Sequence, residues 1–189
     1  MRLKIYRTSE EELIRKCRNN DAKAQQQVYD LYSSKMYSLC LRYLHDEADA
    51  QDVLVGTFVK AFDKISQYKG EGSFEGWLRR ITVNEALGYI RKNKSMYLEV
   101  DISAAEYHPD YQALSTKLEA EDLLNLIQQL PVGYRTVFNL YAIEGYSHKE
   151  IASQLGISEN TSKSQLSRAR SLLQNKLAQH EQILERQIL

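Results

Sequence analysis

The chain has 189 residues, 43% hydrophobic and 26% charged, a globular composition with room for one medium or two small domains. No window has the apolar length of a signal peptide or a membrane span, which predicts a cytoplasmic protein without membrane insertion. Cys17 and Cys40 stand far apart with no CxxC, and His45, His108, His148 and His180 are scattered singly, so reduced structural thiols are expected and neither metal nor cofactor.

The formal net charge is zero, but the sum conceals a distribution. Residues 60–95 carry eight Lys/Arg against four Asp/Glu, and residues 147–178 carry five against two. Residues 96–122 carry one against seven. Two basic stretches flank an acidic middle, a pattern that favours polyanion partners over the neutral average.

In chain order, Leu13, Ile14 and Cys17, then Val28, Leu31, Tyr32, Met36, Leu39 and Leu44, recur at helical steps, with a break and N-cap at Asp21. A further helix follows "HDEADAQD" through Val53, Leu54, Phe58, Val59, Phe62 and Ile65. The stretch "SQYKGEGSFEG" holds three glycines in seven residues and predicts a loop, after which a helix restarts at Trp77, Leu78, Ile81, Leu87 and Ile90. Periodicity fades from Ser95 to about Lys117, an acidic tether of roughly twenty residues. A helix then runs through Leu118, Leu123, Leu124, Ile127 and Leu130 to Pro131. The pattern is all-α: two small helical domains, residues 8–95 and 119–180, joined by a flexible acidic linker at 96–118.

The stretch "YSHKEIASQLGISENTSKSQLSRARSLL", Tyr146 to Leu173, predicts a helix-turn-helix. Ser147 and Glu150 fit a capping box, Ile151 and Leu155 form the inner face of a short helix, and Ala152 leaves room for a crossing helix. Gly156 supplies a left-handed turn with Ile157 behind it, and Ser158 starts a second helix that buries Ser162, Leu166, Ala169 and Leu173. The outward face carries Asn160, Lys163, Ser164, Ser167, Arg168 and Ser171, short polar and cationic side chains suited to base edges and phosphates. In the first domain an acidic helix start (Asp46, Glu47, Asp49, Asp52) precedes an aromatic and basic loop–helix with Tyr68, Lys69, Phe74, Trp77, Arg79, Arg80, Tyr89, Arg91 and Lys92. Aromatics beside cations suit single-stranded DNA, whose bases stack while its backbone needs neutralising. Trp77 is expected in the core. No paired carboxylates, Ser/His/Asp set or phosphate loop can be assembled, so no catalytic site is predicted.

At these residues the chain resembles the extracytoplasmic-function (group 4) sigma factors of bacterial RNA polymerase, over about residues 10–178. "DAQDVLVGTFVKAF" is similar to the family's region 2.2, "FEGWLRRITVNEALGYIRK" to regions 2.3 and 2.4, and "LPVGYRTVFNLYAIEGYSHKEIASQLGISENTSKSQLSRAR" to region 4. The resemblance implies a promoter-specificity subunit. Core polymerase would be met through its β′ clamp helices and β flap, with Asp49, Asp52, Val55, Gly56 and Phe58 on the docking helix. Tyr68, Lys69, Ser73, Phe74, Arg80, Asn84 and Arg91 would take the −10 element, with a base flipped into the loop Tyr68–Phe74. Asn160, Lys163, Ser164, Ser167 and Arg168 would read the −35 duplex, the linker would thread toward the RNA channel, and a separate anti-sigma factor would occlude the docking faces. The match departs from the family at Val55-Gly56, where a Gln-Glu pair is usual, at Gly88, often Asp, and at Ser162, commonly a buried Val. The Ser162 hydroxyl is expected to return to the i−4 carbonyl. Two other readings remain open: a free-standing helix-turn-helix regulator, dimeric on palindromic DNA, and a sigma-like decoy that binds an anti-sigma factor but not polymerase.

Overall fold

A computed structural model of the chain describes residues 2–93 and 120–188, with side chains described over 10–93 and 122–179. The expected acidic linker at 96–118 lies outside the described residues. The chain divides into two compact units, Met1–Tyr89 and Ile90–Leu189. Among the described residues every regular element is helical, and no helix is long and apolar enough to cross a membrane.

The first unit holds α1 (Arg2–Arg18), α2 (Ala22–Tyr43), α3 (Glu47–Asp63), a 3-10 turn (Ile65–Gln67) and α4 (Phe74–Lys92). Its helix boundaries follow local chemistry. Between α1 and α2, the Asp21 amide bonds the Lys16 carbonyl and the Asn20 amide the Cys17 carbonyl, with Asn20 left-handed at φ 57°. Asn tolerates that conformation because its short polar side chain bonds locally. Asp21 then caps α2 by accepting from the Lys23 and Ala24 amides, as the sequence predicted, and Asp46 caps α3 in the same way. The core is built from Ile14 and Cys17 of α1, Val28, Met36, Leu39 and Cys40 of α2, Leu54 and Phe58 of α3, and Phe74, Leu78 and Leu87 of α4. Burial pushes the Cys40 thiol up to about 12 and raises that of Cys17 as well, so both are inert structural thiols.

Two expectations change here. Leu31 and Val59 fit the apolar stripes by spacing, yet they are 61% and 64% exposed. The stripe that each helix buries is narrower than its run of apolar residues, because the α2–α3 contact is filled by other side chains. The glycine-rich loop is also shorter than its composition suggests. Ser73 accepts from the Gly76 amide, so α4 begins at Phe74 and "FEG" is its first turn.

The second unit holds α5 (Ala120–Gln128), α6 (Val132–Phe138) running into a π turn (Asn139–Ile143), α7 (His148–Leu155) and α8 (Glu159–Ile188). Leu126, Ile127, Leu130, Tyr134, Ala169 and Leu173 form one cluster, with Phe138, Ile143, Leu172 and Leu177 packed against it. Arg135 is buried and donates to the Gln128 carbonyl at 2.7 Å, a cation at the C-terminus of α5.

Candidate nucleic-acid interface

The turn between α7 and α8 is built as the sequence specifies. Ser147 accepts from the Glu150 amide while the Glu150 carboxylate accepts from the Ser147 amide at 2.8 Å, closing the capping box. The Ser147 hydroxyl, then its backbone N–H, holds the Glu150 carboxyl below the usual carboxylate range. Gly156 ends α7 at φ 67°, where a side chain would be strained. The Ile157 amide reaches back to the Ala152 carbonyl, and the Ser158 hydroxyl accepts from the Thr161 amide at 2.9 Å to start α8. Ile151, Ser162, Leu166, Ala169 and Leu173 are buried, which fixes α8 against α7 and α6.

That packing leaves Asn160, Lys163, Ser164, Ser167 and Arg168 exposed along the opposite side of α8. The Arg168 guanidinium donates to the buried Tyr134 hydroxyl at 3.3 Å, which restrains its stem. Ser171, expected on the same outer face, is instead buried at 9% exposure, although it follows the exposed Ser167 by one helical turn. Ser162 also departs from expectation. Its hydroxyl pairs with His148 Nδ1 at 2.9 Å and so ties the two helices together. His148 stacks on Tyr141, with centroids 4.5 Å apart and planes at 22°, and Arg170 lies 5.7 Å over the same ring. Tyr141 comes from the π turn, which re-aims the end of α6. The sequence reading missed this set, since no spacing rule joins residues 141, 148, 162 and 170.

In the first unit the residues expected at a loop separate into two groups. Lys69, Ser73, Arg80, Asn84 and Arg91 are exposed, and the last three share one face of α4 at helical spacing. Tyr68 and Phe74 are buried: at 9% and 0% exposure their rings belong to the core. Phe74 meets Tyr32, Tyr68 and Trp77 at centroid distances of 5.6, 5.3 and 5.4 Å, an aromatic cluster that forms the floor of the loop. The Tyr68 hydroxyl donates to the Gly72 carbonyl at 2.9 Å, and Gly70 and Gly72 take the left-handed conformation that closes the turn. Arg18, which no local signal marked, donates to the Tyr68 carbonyl.

On α3, Asp52 is exposed, Val55 is 56% exposed and Val59 64%, one helical turn apart. Asp49 accepts from the Tyr89 hydroxyl of α4. A Cβ on Gly56 would meet the Glu85 Oε2 at 4.0 Å, and Glu85 pairs with Lys60. Phe58 is buried like Phe74: it is 3% exposed, with the rings of Tyr29 and Phe62 4.8 Å and 6.0 Å from its own. Among the described residues no group of His, Cys, Asp and Glu could hold a metal ion.

Comparison with known proteins accounts for both units. Residues 28–96 match sigma-70 region 2 and residues 120–173 match sigma-70 region 4. The chain is 32% identical over 176 residues to the ECF RNA polymerase sigma factor SigW of Bacillus subtilis, covering 87% of this chain and 94% of that one. It is 32% identical over 155 residues to SigE of Mycolicibacterium smegmatis, covering 79% and 60% respectively. A solved structure of the sigma factor RpoE in complex with the anti-sigma factor NepR from Bartonella quintana is similar at 25% identity and a TM-score of 0.50, covering 81% of this chain and 96% of that one. Regions 2 and 4 on one helical chain define a sigma factor of the sigma-70 type. The chain belongs to the ECF RNA polymerase sigma factors, proteins that direct RNA polymerase to promoters and catalyse no reaction themselves. Membership selects this reading over the free-standing regulator and the decoy.

Proposed function

We propose that this sigma factor divides promoter recognition between its two units, 8–95 and 119–180, in the cytoplasm. Asn160, Lys163, Ser164, Ser167 and Arg168 read the −35 element as duplex, with α8 in the major groove. Lys69, Ser73, Arg80, Asn84 and Arg91 hold the unpaired −10 strand, over a loop whose shape is set by Tyr68 and Phe74. Capture of unpaired bases there shifts the duplex–open equilibrium without breaking covalent bonds. Asp49, Asp52, Val55 and the Gly56 backbone meet the β′ clamp helices of core polymerase, with Phe58 beneath, and the second unit meets the β flap. An anti-sigma factor covers these faces when the protein is held inactive.

The observation that carries the proposal is the exposed side of α8, where Lys163, Ser164, Ser167 and Arg168 stand together behind a helix-turn-helix packed through Ile151, Ser162, Leu166, Ala169 and Leu173. A few cations on one helix give weak, salt-sensitive binding, and tethering both units on core polymerase supplies the missing affinity. Lys163→Ala in the holoenzyme should weaken −35 duplex binding and lower the salt slope by about 1, with affinity for core polymerase unchanged. Equal loss of both affinities would remove the assignment.

A further inference from the structure

The loop at Tyr68–Ser73 is held by a residue from the far end of its unit. Tyr68 closes the 3-10 turn Ile65–Gln67, and its carbonyl accepts from the Arg18 guanidinium, 50 residues earlier. Arg18 is the last residue of α1, and its direction is fixed by the α1–α2 turn, with Asn20 left-handed and Asp21 capping the next helix. From that turn a cation is delivered to the C-terminal end of a helical turn, where the partial negative charge of the carbonyls favours it. A hydrogen bond from an ionised donor is roughly twice as strong as a neutral one.

The same Tyr68 is braced twice more. Its hydroxyl donates to the Gly72 carbonyl, and its ring lies 5.3 Å from Phe74 and 5.6 Å from Trp77. Between these anchors stand Lys69, Gly70, Glu71 and Gly72, all exposed, and neither loop glycine has an atom within 4 Å of where a Cβ would sit. The glycines therefore give the loop its turn and also its freedom, and the contacts at Tyr68 remove that freedom. A loop that is ordered before it meets a strand loses less entropy on binding.

We propose that Arg18 is a positioning residue for single-strand capture: its bond to the Tyr68 carbonyl holds the loop in the conformation that presents Lys69 and Ser73. This rests on the −10 reading given above. The test uses holoenzymes assembled with wild-type protein, Arg18→Ala, Arg18→Lys, Tyr68→Phe and the double variant Lys69→Ala/Ser73→Ala. The probe is single-stranded DNA selected by the wild-type holoenzyme from a randomised pool, with core polymerase alone as the blank. Arg18→Ala should bind the strand about tenfold more weakly, equivalent to about 1.4 kcal/mol. Arg18→Lys should recover part of that loss, Tyr68→Phe should lose affinity several-fold, and affinity for core polymerase should not move. Wild-type strand affinity in Arg18→Ala overturns the inference, and so does a proportional loss of core affinity, which would make Arg18 a structural residue only. If the double variant weakens capture and Arg18→Ala does not, only the role of Arg18 falls. If the double variant also binds as wild type, the −10 reading of the loop falls with it.

Discussion

The two units solve different problems with different means. In the second, the proposed reading surface is one side of a single helix, and the side chains on it are exposed and not part of the packed core. In the first, the loop owes its shape to rings that are core residues, Tyr68 and Phe74, and to a bond from Arg18 across the unit. A helix presents side chains by its own backbone hydrogen bonds, so its outer side tolerates change. A loop has no such internal ladder, and its geometry must come from tertiary contacts. Binding and stability should therefore separate cleanly in the second unit and not in the first.

Several substitutions would break or sharpen that contrast. The largest effect is expected from Phe74→Ala, which empties the centre of the aromatic cluster and should cost about 3–5 kcal/mol of first-unit stability. Trp77, the chain's one tryptophan, lies in that cluster and reports it directly. Its fluorescence transition in urea should move to much lower denaturant, and strand capture should fail with it. An unchanged transition would mean that the loop is not braced by the core.

Ser147→Ala comes next. It removes the N-cap of α7 and should destabilise the second unit by about 1 kcal/mol, seen by circular dichroism, with the Trp77 transition unmoved. The same variant carries a pH signature. Glu150 is held below its ordinary value by Ser147, so the stabilisation from its ionised form is present above the unfolded value and lost as pH falls through the lower folded one. The gap between wild type and Ser147→Ala should accordingly narrow as pH drops below 4.5, the ordinary glutamate value. A gap that widened in acid would contradict the capping box.

The smallest effect is expected at Gly56, in the middle of α3, where a Cβ would make only an ordinary contact, 4.0 Å from the Glu85 carboxylate. Gly56→Ala should stabilise the first unit by about 0.5–1 kcal/mol, because glycine gives up more backbone freedom in a helix than alanine does. Thermal unfolding followed at Trp77 should shift upward by a few degrees, with −35 binding unaltered. A fall in stability would show that α3 needs glycine for a reason other than space. Gly56→Glu is a different matter: it would bring a second carboxylate toward Glu85, which already pairs with Lys60, so it should not share the gain in stability.

Most of the fold was legible because its signals are local. Asp21, Ser147, Gly156 and Ser158 each act within about five residues, and the backbone carries out what their chemistry permits. The outer side of α8 was legible for the same reason, since Asn160, Lys163, Ser164, Ser167 and Arg168 follow from helical spacing once the buried side is known. Residues that depend on angle within a helix were less so. Ser171 turned inward, while Leu31 and Val59 turned outward, because the width of a buried stripe depends on which helix packs against it.

The sequence by itself determined the helical class, the capping and turn residues, and the set of cations and small polar groups along α8. Each of these is written in a few neighbouring residues and needs no partner from elsewhere. Only the tertiary structure decided that Phe58, Tyr68 and Phe74 are buried, that Ser162 answers to His148, and that Arg18 reaches the carbonyl of a residue 50 positions away. Those are pairings between distant segments. Packing alone brings such side chains within reach, and spacing along the chain carries no record of it.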